Sequence, residues 1–339
     1  MPALLVRRLV AAQPVRVLQD MIFDLPHSAI DAAAERIAGY IRQTPVIAPG
    51  KGDWTLGEAV FKLELLQHTG SFKARGAFNR ILMAQAAGAI PTAGVIAASG
   101  GNHGAAVAYA ARRVGVPAEI FVPEVCPPAK IRLLQEYGAT VNVVGAFYAD
   151  SFAASMERAK QTGALIVHAY NQSDVLAGAA TLGREFDGQA PNLETVFVAV
   201  GGGGLIAGVA AWYAGRARVI GVEPESAPSL SAALAAGEPV DVEIAPEGIA
   251  RDSLGARRVG DLPFAIAKRY VDRVILVKDA DIQAAQYALW DSLRIVTEPG
   301  GAAALAALLG GYYTPRSDER IGVVLCGANT NPQSVVHGG

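Results

Sequence analysis

Residues 69–77 read TGSFKARGA, and they place a lysine, Lys73, shortly after a strand-like run at residues 60–64. The segment that follows predicts a helix beginning near Lys73, because its apolar residues recur at helical spacing between residues 78 and 82. The free N–H groups at a helix start carry partial positive charge, which disfavours an ammonium group there. Lys73 is therefore either a solvated surface lysine or a lysine whose lowered pKa favours the neutral amine that attacks an aldehyde.

Two series of alternating strand and helix patterns accompany this stretch. The first covers residues 94–167, and the second runs from residue 195 to residue 325. Alternation of this kind is typical of parallel sheets flanked by helices. Two such series predict two α/β lobes with a site in the cleft between them.

Two glycine-rich segments each follow a predicted strand and precede a predicted helix. Residues 99–104 read SGGNHG, and residues 200–205 read VGGGGL. Glycine lets the backbone approach a ligand closely, and the free N–H groups at a helix start receive anions. The first segment therefore suggests a carboxylate site and the second a phosphate site. An ordinary glycine-rich turn is the alternative for each.

The segment SFKARGA at residues 71–77 resembles the cofactor-lysine motif of the serine/threonine dehydratase (ammonia-lyase) family, which belongs to the fold-type-II, tryptophan synthase β-like, pyridoxal-phosphate (PLP) enzymes. The resemblance extends over roughly residues 30–329, with its motifs in family order. It implies a two-lobed α/β fold with parallel-rich sheets flanked by helices and PLP in the cleft between the lobes. It also implies that Lys73 is the catalytic residue and bonds covalently to PLP, with Phe72 beside it in the cofactor site.

The glycine-rich segments acquire roles from the same resemblance. The first is similar to the family's Ser-x-Gly-Asn-His loop, in which Asn102 would lie against the phenolic oxygen of PLP. This loop would hold the substrate carboxylate through Ser99, Gly100, Asn102 and His103. The second segment resembles the cup for the cofactor phosphate, which would be bound by Gly201, Gly202, Gly203, Gly204 and Leu205.

Two further motifs lie near the end of the chain. Residues 325–329, LCGAN, resemble the segment that places a serine or cysteine, here Cys326, opposite the pyridine nitrogen of PLP. Residues 297–301, TEPGG, resemble the segment whose glutamate, here Glu298, lies near the cofactor ring. Without the resemblance, Cys326 is a small buried apolar residue and Glu298 a carboxylate that caps the helix begun by the proline after it.

A third segment resembles the cation loop of the family. Residues 221–229 read GVEPESAPS, in which Glu223 and the carbonyl group of Ala227 would be oxygen ligands. Ser229 stands where relatives that bind a divalent metal carry an aspartate. The lower charge favours a monovalent ion such as K⁺ over a divalent cation. An ordinary surface turn is the alternative.

The motifs together imply β-elimination (dehydration and deamination) of an L-β-hydroxy amino acid to a 2-oxo acid and ammonia, with L-threonine and L-serine as expected substrates. A thiol at Cys326 can hydrogen-bond to the pyridine nitrogen but cannot keep it protonated as an aspartate would, which favours prompt loss of the β-substituent. Gly100 lacks the serine side chain that returns a proton in serine racemase relatives. Racemisation is therefore disfavoured.

Other substrates and a non-enzymatic role are open alternatives. Ala105 and the pair Ala179–Ala180 replace polar residues of the family, which suggests a bulkier substrate of the phenylserine or hydroxyaspartate type. A catalytically silent ligand-binding relative would share the fold. The intact Lys73 and Asn102 argue against it.

Composition excludes several classes of partner. The 339 residues carry a formal charge of −2 with scattered charges, so neither nucleic acid nor an anionic membrane is expected as partner. No apolar run reaches membrane-spanning length. The two cysteines are too few for a disulfide framework and favour a reducing compartment. We therefore expect a cytoplasmic enzyme that binds a small amino acid, and the resemblance adds the expectation of a homodimer.

The resemblance also implies how the chain divides. Residues 1–27 would be an N-terminal extension that is poorly ordered. Residues 28–93 and 164–339 would form the large PLP-binding domain, with residues 94–163 inserted as a smaller α/β domain. Hydrophobic periodicity alone does not show this insertion.

Overall fold

The computed structural model describes residues 24–335, apart from residues 51–53, 55 and 57. Most of the predicted N-terminal extension, residues 1–27, therefore lies outside the described residues. Its last residue already belongs to the first helix, which begins at His27. In the part of the chain that the structure describes, no helix is long and apolar enough to cross a membrane.

The strands in the described residues are β1 (Val46–Ile47), β2 (Glu58–Lys62), β3 (Val95–Ala98), β4 (Ala118–Val122), β5 (Thr140–Val143), β6 (Leu165–Ile166), β7 (Thr195–Ala199), β8 (Arg218–Pro224), β9 (Val271–Val277) and β10 (Arg320–Val324). The α-helices are α1 (His27–Ile37), α2 (Lys73–Ala86), α3 (Asn102–Val114), α4 (Pro128–Glu136), α5 (Tyr148–Thr162), α6 (Ser173–Gln189), α7 (Gly204–Tyr213), α8 (Ser229–Ala236), α9 (Arg251–Leu254), α10 (Asp261–Tyr270), α11 (Asp279–Leu293) and α12 (Pro299–Leu309).

The larger sheet has six strands in the order β1-β2-β10-β7-β8-β9. The pairing of β1 with β2 is antiparallel, and all other neighbours in this sheet are parallel. Strand β7 is buried along its whole length, as expected for a parallel strand covered on both faces. The same core continues into helices α7 and α12, whose residues are mostly buried.

The smaller sheet has four parallel strands in the order β5-β4-β3-β6. The two parallel-rich sheets confirm the predicted α/β class. Strand β6 pairs with β3, although the predicted boundary assigns residues from 164 onward to the large domain. The smaller sheet therefore continues to Ile166, and the division of the chain into domains stays a prediction.

Helix α2 lies where the helices of the two sheets meet. It packs against α3 and against α6, and α6 packs in turn on α7. Phe78 and Ile81 of α2 are fully buried in a cluster that also contains Val107 of α3. Apolar packing on both neighbours therefore fixes α2, whose first residue is Lys73.

A buried group of charged side chains, Arg75 with Lys62, Glu64 and Glu185, fixes the first turn of α2. Arg75 donates through Nε and Nη2 to the Glu64 carboxylate over 2.6 and 2.9 Å. Its Nη2 atom also lies 3.0 Å from Glu185 Oε2. Lys62 Nζ pairs with Glu185 and donates to the carbonyl oxygen of Thr44 over 2.7 Å. Two cations thus face two carboxylates, and each buried charge has an opposite partner.

Candidate active site

Lys73 is the first residue of α2, as the sequence predicts. Its Nζ atom donates a hydrogen bond to the carbonyl oxygen of Ala169 over 2.8 Å and lies 5.0 Å from the centre of the Phe72 ring. Burial lowers the pKa of Lys73 from 10.5 to about 8, although Cys326 and Glu298 act in the opposite direction. Loss of hydration is thus a second cause, beside the helix start, that favours the neutral amine.

Asn102 and Glu298 contact each other beside this lysine. Asn102 is the first residue of α3, and its Nδ2 atom donates to Glu298 Oε1 over 2.6 Å. Burial raises the pKa of Glu298 to about 7, while the hydrogen bond from Asn102 and the charge of Lys73 lower it. Glu298 occupies the N-cap position of α12, with Pro299 as the first helical residue, but its side chain makes no capping bond. The carboxylate faces Asn102 instead.

Cys326 follows β10 and is buried. Its Sγ atom donates to the carbonyl oxygen of Gly300 over 3.3 Å. Burial raises the pKa of this thiol, so the group stays neutral. The N–H group of Phe72 donates to the carbonyl oxygen of Cys326 over 3.1 Å, which ties the segment before Lys73 to this strand end. A neutral thiol at this place is compatible with the predicted contact to a pyridine nitrogen.

The first glycine-rich segment forms the turn between β3 and α3. The N–H group of Gly101 donates to Ser99 Oγ over 3.2 Å, and this hydrogen bond stabilises the turn. A Cβ atom on Gly100 would lie 2.6 Å from Cys126 Sγ, so a larger residue there requires the Cys126 side chain to move. The turn therefore leads directly into the free N–H groups at the start of α3, where a carboxylate can bind.

His103 points away from that anion site. Its Nε2 atom lies 2.8 Å from the carbonyl oxygen of Val167. Burial lowers the pKa of His103 to about 3, so the ring is neutral and donates to this carbonyl group. The His103 side chain therefore has a structural partner, and only its backbone N–H group is available for the predicted carboxylate contact.

The glycine run forms the turn between β7 and α7. Gly203 has a φ of +87°, and a Cβ atom on it would lie 2.7 Å from a methyl group of Val259. The ring of Tyr170 covers Gly202, where a Cβ atom would collide with it. Glycine is thus required at both positions. Bare backbone at the start of a ten-residue helix is an arrangement that binds phosphate.

One buried polar atom beside Lys73 has no partner. Ser71 Oγ makes no hydrogen bond within the residues that the structure describes. Buried polar atoms of this kind usually have a partner in the working protein. A buried amine, an open hydroxyl group and a bare helix start are donors that suit a phosphorylated aldehyde, and PLP therefore fits this group of residues.

The predicted cation ligands lie together, but their oxygen atoms have protein partners. Glu223 accepts from the N–H groups of Leu230 and Ser231 over 2.6 and 3.0 Å. Ser229 donates to Glu223 over 3.2 Å, and its own N–H group donates to the carbonyl oxygen of Ala227 over 3.1 Å. Burial raises the pKa of Glu223 to about 7. The donors at the start of α8 thus offset only part of the cost of burying this carboxylate, and bound K⁺ stays a prediction.

Among the described residues, no group of three or more His, Cys, Asp or Glu side chains could hold a metal ion.

Three residues of the site are given no role by the sequence analysis. Ala169 and Tyr170 lie in the loop after β6, which carries no recognisable sequence signal. Asn329 ends the segment LCGAN, and its Nδ2 atom donates to Asn102 Oδ1 over 2.6 Å and to the carbonyl oxygen of Thr69 over 2.7 Å. Its place in that motif is the one signal that could have singled it out.

The fold and the site define a class of protein: an α/β enzyme with a buried lysine amine near a glycine-rich anion site. The family model for pyridoxal-phosphate-dependent enzymes matches residues 37–327. The chain belongs to this family, which confirms the predicted resemblance, and membership implies PLP as cofactor.

Several known proteins are similar to this chain over most of its length. It is 40% identical to a phenylserine dehydratase from Ralstonia pickettii, with 90% of this chain and 93% of that protein covered. It is 36% identical to an L-threonine ammonia-lyase from Geobacter sulfurreducens, with 92% of this chain and 77% of that protein covered. The structure of maize serine racemase matches with a TM-score of 0.84 at 33% identity, covering 91% of this chain and 95% of that one.

Proposed function

We propose that this protein catalyses PLP-dependent β-elimination of an L-β-hydroxy amino acid, with release of a 2-oxo acid and ammonia. The observation that carries the proposal is the Lys73 amine, whose pKa is lowered to about 8 by burial at the start of α2. L-Threonine and L-serine are the substrates that we propose first. The threonine ammonia-lyase at 36% identity supports this choice.

Residues of this chain would hold the reactants. When bound, PLP withdraws electrons from the substrate α-carbon and so acidifies its C–H bond. The N–H groups at the start of α3, near Ser99 and Asn102, would bind the substrate carboxylate. Residues 201–205 would bind the cofactor phosphate. Cys326 would be a neutral hydrogen-bonding partner for the pyridine nitrogen, and Glu298 would lie beside the ring.

Lys73 would move the proton. In its neutral form it accepts the α-proton as general base, and a pKa of about 8 leaves a useful neutral fraction near physiological pH. The β-hydroxyl group takes up a proton as it leaves as water, and the α-proton accepted by Lys73 balances the proton that is used. The enamine released from the enzyme tautomerises and is hydrolysed, so the water lost at the β-carbon is regained. The net change converts the amino acid into one 2-oxo acid and one ammonia.

A β-aryl amino acid such as phenylserine is the second candidate, because aromatic rings continue outward from Lys73. The ring centre of Tyr170 lies 5.9 Å from Lys73 Nζ. From Tyr170 the rings of His168, Phe152 and Tyr148 follow at centroid distances of 4.9, 6.1 and 6.0 Å. Aromatic rings of this kind favour a substrate whose side chain is flat and apolar. The relative at 40% identity is itself named a phenylserine dehydratase.

The alanine substitutions do not support a bulkier substrate. Ala105, Ala179 and Ala180 are buried, and the backbone of Ala180 packs against Gly208 where α6 meets α7. The pair Ala179–Ala180 therefore serves helix packing.

Racemisation has a steric argument against it. The position of a Cβ atom on Gly100 lies 2.6 Å from Cys126 Sγ. Gly100 carries no side chain that could return a proton, and a serine at this position would require the Cys126 side chain to move. We therefore keep the proposal that racemisation is not the main activity.

A substrate series tests the reaction and the choice of substrate together. PLP-loaded protein is given L-threonine, L-serine, L-threo-phenylserine and 3-hydroxyaspartate, and 2-oxo acid, ammonia and recovered enantiomers are quantified. We expect equal amounts of 2-oxo acid and ammonia, with L-threonine or L-serine giving the highest kcat/KM. Product from phenylserine alone would favour the second candidate. No 2-oxo acid from any of the four, despite bound PLP, would overturn β-elimination.

The assembly and the location of the protein stay predictions. A homodimer and a cytoplasmic location are what the resemblance and the cysteine content suggest.

A further inference from the structure

Asn329 connects two segments of the site that are distant in sequence. It lies close to Gly70, on which a Cβ atom would be 2.6 Å from Asn329 Oδ1. Its Nδ2 atom donates to the carbonyl oxygen of Thr69 over 2.7 Å and to Asn102 Oδ1 over 2.6 Å. Asn329 therefore joins the segment before Lys73 to the first residue of α3.

The partners at the two ends of this chain of hydrogen bonds, the carbonyl group of Thr69 and the Glu298 carboxylate, determine which amide atom donates at each step. The oxygen and nitrogen of an asparagine amide can exchange places by a flip, so their partners decide the assignment. The carbonyl group of Thr69 can only accept, and it therefore requires Asn329 Nδ2. The second proton on that nitrogen requires the oxygen of Asn102. Asn102 must then turn its nitrogen to Glu298 Oε1, which accepts over 2.6 Å.

A flip of Asn102 alone is unfavourable. It would place two N–H donors face to face at Asn329, and it would place the amide oxygen against the Glu298 carboxylate. Asn102 would lose both of its partners and Asn329 one of its two, and the unsatisfied groups would carry the cost of lost hydrogen bonds. The fixed backbone carbonyl of Thr69 thus sets the orientation of an amide two hydrogen bonds away.

We propose that Asn329 is a positioning residue that fixes the Asn102 amide with its N–H donors turned toward Glu298 and the cofactor site. The inference rests on the proposed function, in which Asn102 lies beside the phenolic oxygen of PLP. In this orientation Asn102 offers a donor to that oxygen and stabilises its ionised form, since hydrogen bonds to charged groups are the strong ones. In the reverse orientation it would offer a carbonyl oxygen, which repels the same charge.

Two substitutions of Asn329 test the proposal in the PLP-loaded, full-length protein. Asn329→Asp keeps the shape of the side chain but can only accept, so it draws the Asn102 N–H donors away from Glu298. Asn329→Ala removes the contact altogether. Asn331→Asp is the matched control, because it adds the same charge nearby and keeps the oxygen that accepts from the Gln333 N–H group over 3.1 Å. The readouts are the pH titration of the absorbance of bound PLP and the Kd of PLP.

We expect Asn329→Asp to shift the midpoint of the absorbance titration by about half a pH unit or more and to weaken PLP binding by about tenfold. The titration midpoint and the Kd of Asn329→Ala should lie between those of Asn329→Asp and the wild type. Both values for Asn331→Asp should match the wild type. The titratable groups that face Asn102 or Glu298 are Lys73, Lys130, Asp252 and Cys326, and all the variants retain them. A titration and Kd equal to those of Asn331→Asp would overturn the proposal.

Failure of the proposed function would look different. A wild-type protein that binds no PLP would overturn the proposed function, and the contact is then tested by the melting temperatures of cofactor-free Asn102→Ala, Asn329→Ala and the double variant. Coupled residues should lose less in the double variant than the two single losses added together. Simple additivity would overturn the role of Asn329 in that case too.

Discussion

The Nζ atom of Lys73 donates a hydrogen bond to the carbonyl oxygen of Ala169 over 2.8 Å. Lys73 begins α2, whereas Ala169 lies in the loop after β6 of the smaller sheet, so this bond joins two parts of the fold. A backbone carbonyl accepts from an amine as well as from an ammonium group. The bond therefore orients the nitrogen without fixing its charge, and burial decides the charge.

The capture of PLP by cofactor-free protein should follow the titration of this amine. Burial lowers the pKa of Lys73 from 10.5 to about 8, so the ammonium form loses its proton as pH rises through 8. The binding rate should rise by about tenfold per pH unit below that value and level off above it. Stopped-flow absorbance over a pH series that brackets the pKa measures the rate. A rate that keeps rising toward 10.5 would contradict a buried amine.

Glu298 should contribute a separate ionisation to the pH profile. Burial raises its pKa to about 7, so the carboxylate gains a proton as pH falls through 7 and then accepts more weakly from Asn102. Glu298→Gln keeps an accepting oxygen but cannot titrate. We expect wild-type kcat to fall through two ionisations as pH drops, that of Lys73 near 8 and that of Glu298 near 7, and Glu298→Gln to keep only the first. The exposed Glu247→Gln is the control. The same two ionisations in all three proteins would assign the one near 7 to another group.

The glycine run should tolerate no side chain at Gly202. A methyl group there would collide with the ring of Tyr170, and overpacking of this kind costs about 1–3 kcal/mol. Gly202→Ala should therefore weaken PLP binding by about tenfold or more, measured by fluorescence titration. In Gly188→Ala the new methyl group meets nothing within 4 Å. This control in helix α6 should bind PLP normally and gain up to about 1 kcal/mol of stability. Equal affinity in the two variants would argue against a phosphate site at the run.

The buried charges behind α2 should depend on one another. Arg75→Met leaves Glu64 buried without its cation, which should lower the free energy of unfolding by about 3–5 kcal/mol. Adding Glu64→Gln removes the stranded charge and should restore much of that loss. Urea unfolding measures both. Arg158→Met is the control, since it breaks an ion pair with Glu119 in which the arginine side chain is 46% exposed, and it should cost no more than about 1 kcal/mol. If Arg75→Met and Arg158→Met lowered the free energy of unfolding by similar amounts, the claim that Arg75 neutralises a buried carboxylate would be contradicted.

The position of Lys73 could be predicted because it depends on local signals. The strand before it, the helical spacing after it and the motif around it are all contiguous, and the structure places Lys73 at the first position of α2. The α/β class follows for the same reason, since alternating strands and helices are a local pattern. Strand β6 lies within the first predicted series, but its place in the smaller sheet depends on tertiary pairing with β3, and the predicted boundary at residue 164 gives it to the large domain.

The contacts of Asn329 could not be predicted from sequence. Its two partners lie 260 positions away at Thr69 and 227 positions away at Asn102, and only the folded chain brings them together. The neutral ring of His103 is a similar case. Its pKa and its bond to Val167 arise from burial in the finished core.

The most direct test of the central claim is the absorbance spectrum of the purified protein with PLP, recorded for the wild type, Lys73→Ala and the exposed-lysine control Lys160→Ala. The account predicts a band of lysine-bound cofactor in the wild type and the control that changes when L-threonine, L-serine or L-threo-phenylserine is added, with 2-oxo acid appearing. Lys73→Ala should lack this band and should form no product. A wild type that stays colourless with added PLP, or a Lys73→Ala variant that keeps the band and full activity, would contradict the assignment of Lys73 and the reaction built on it.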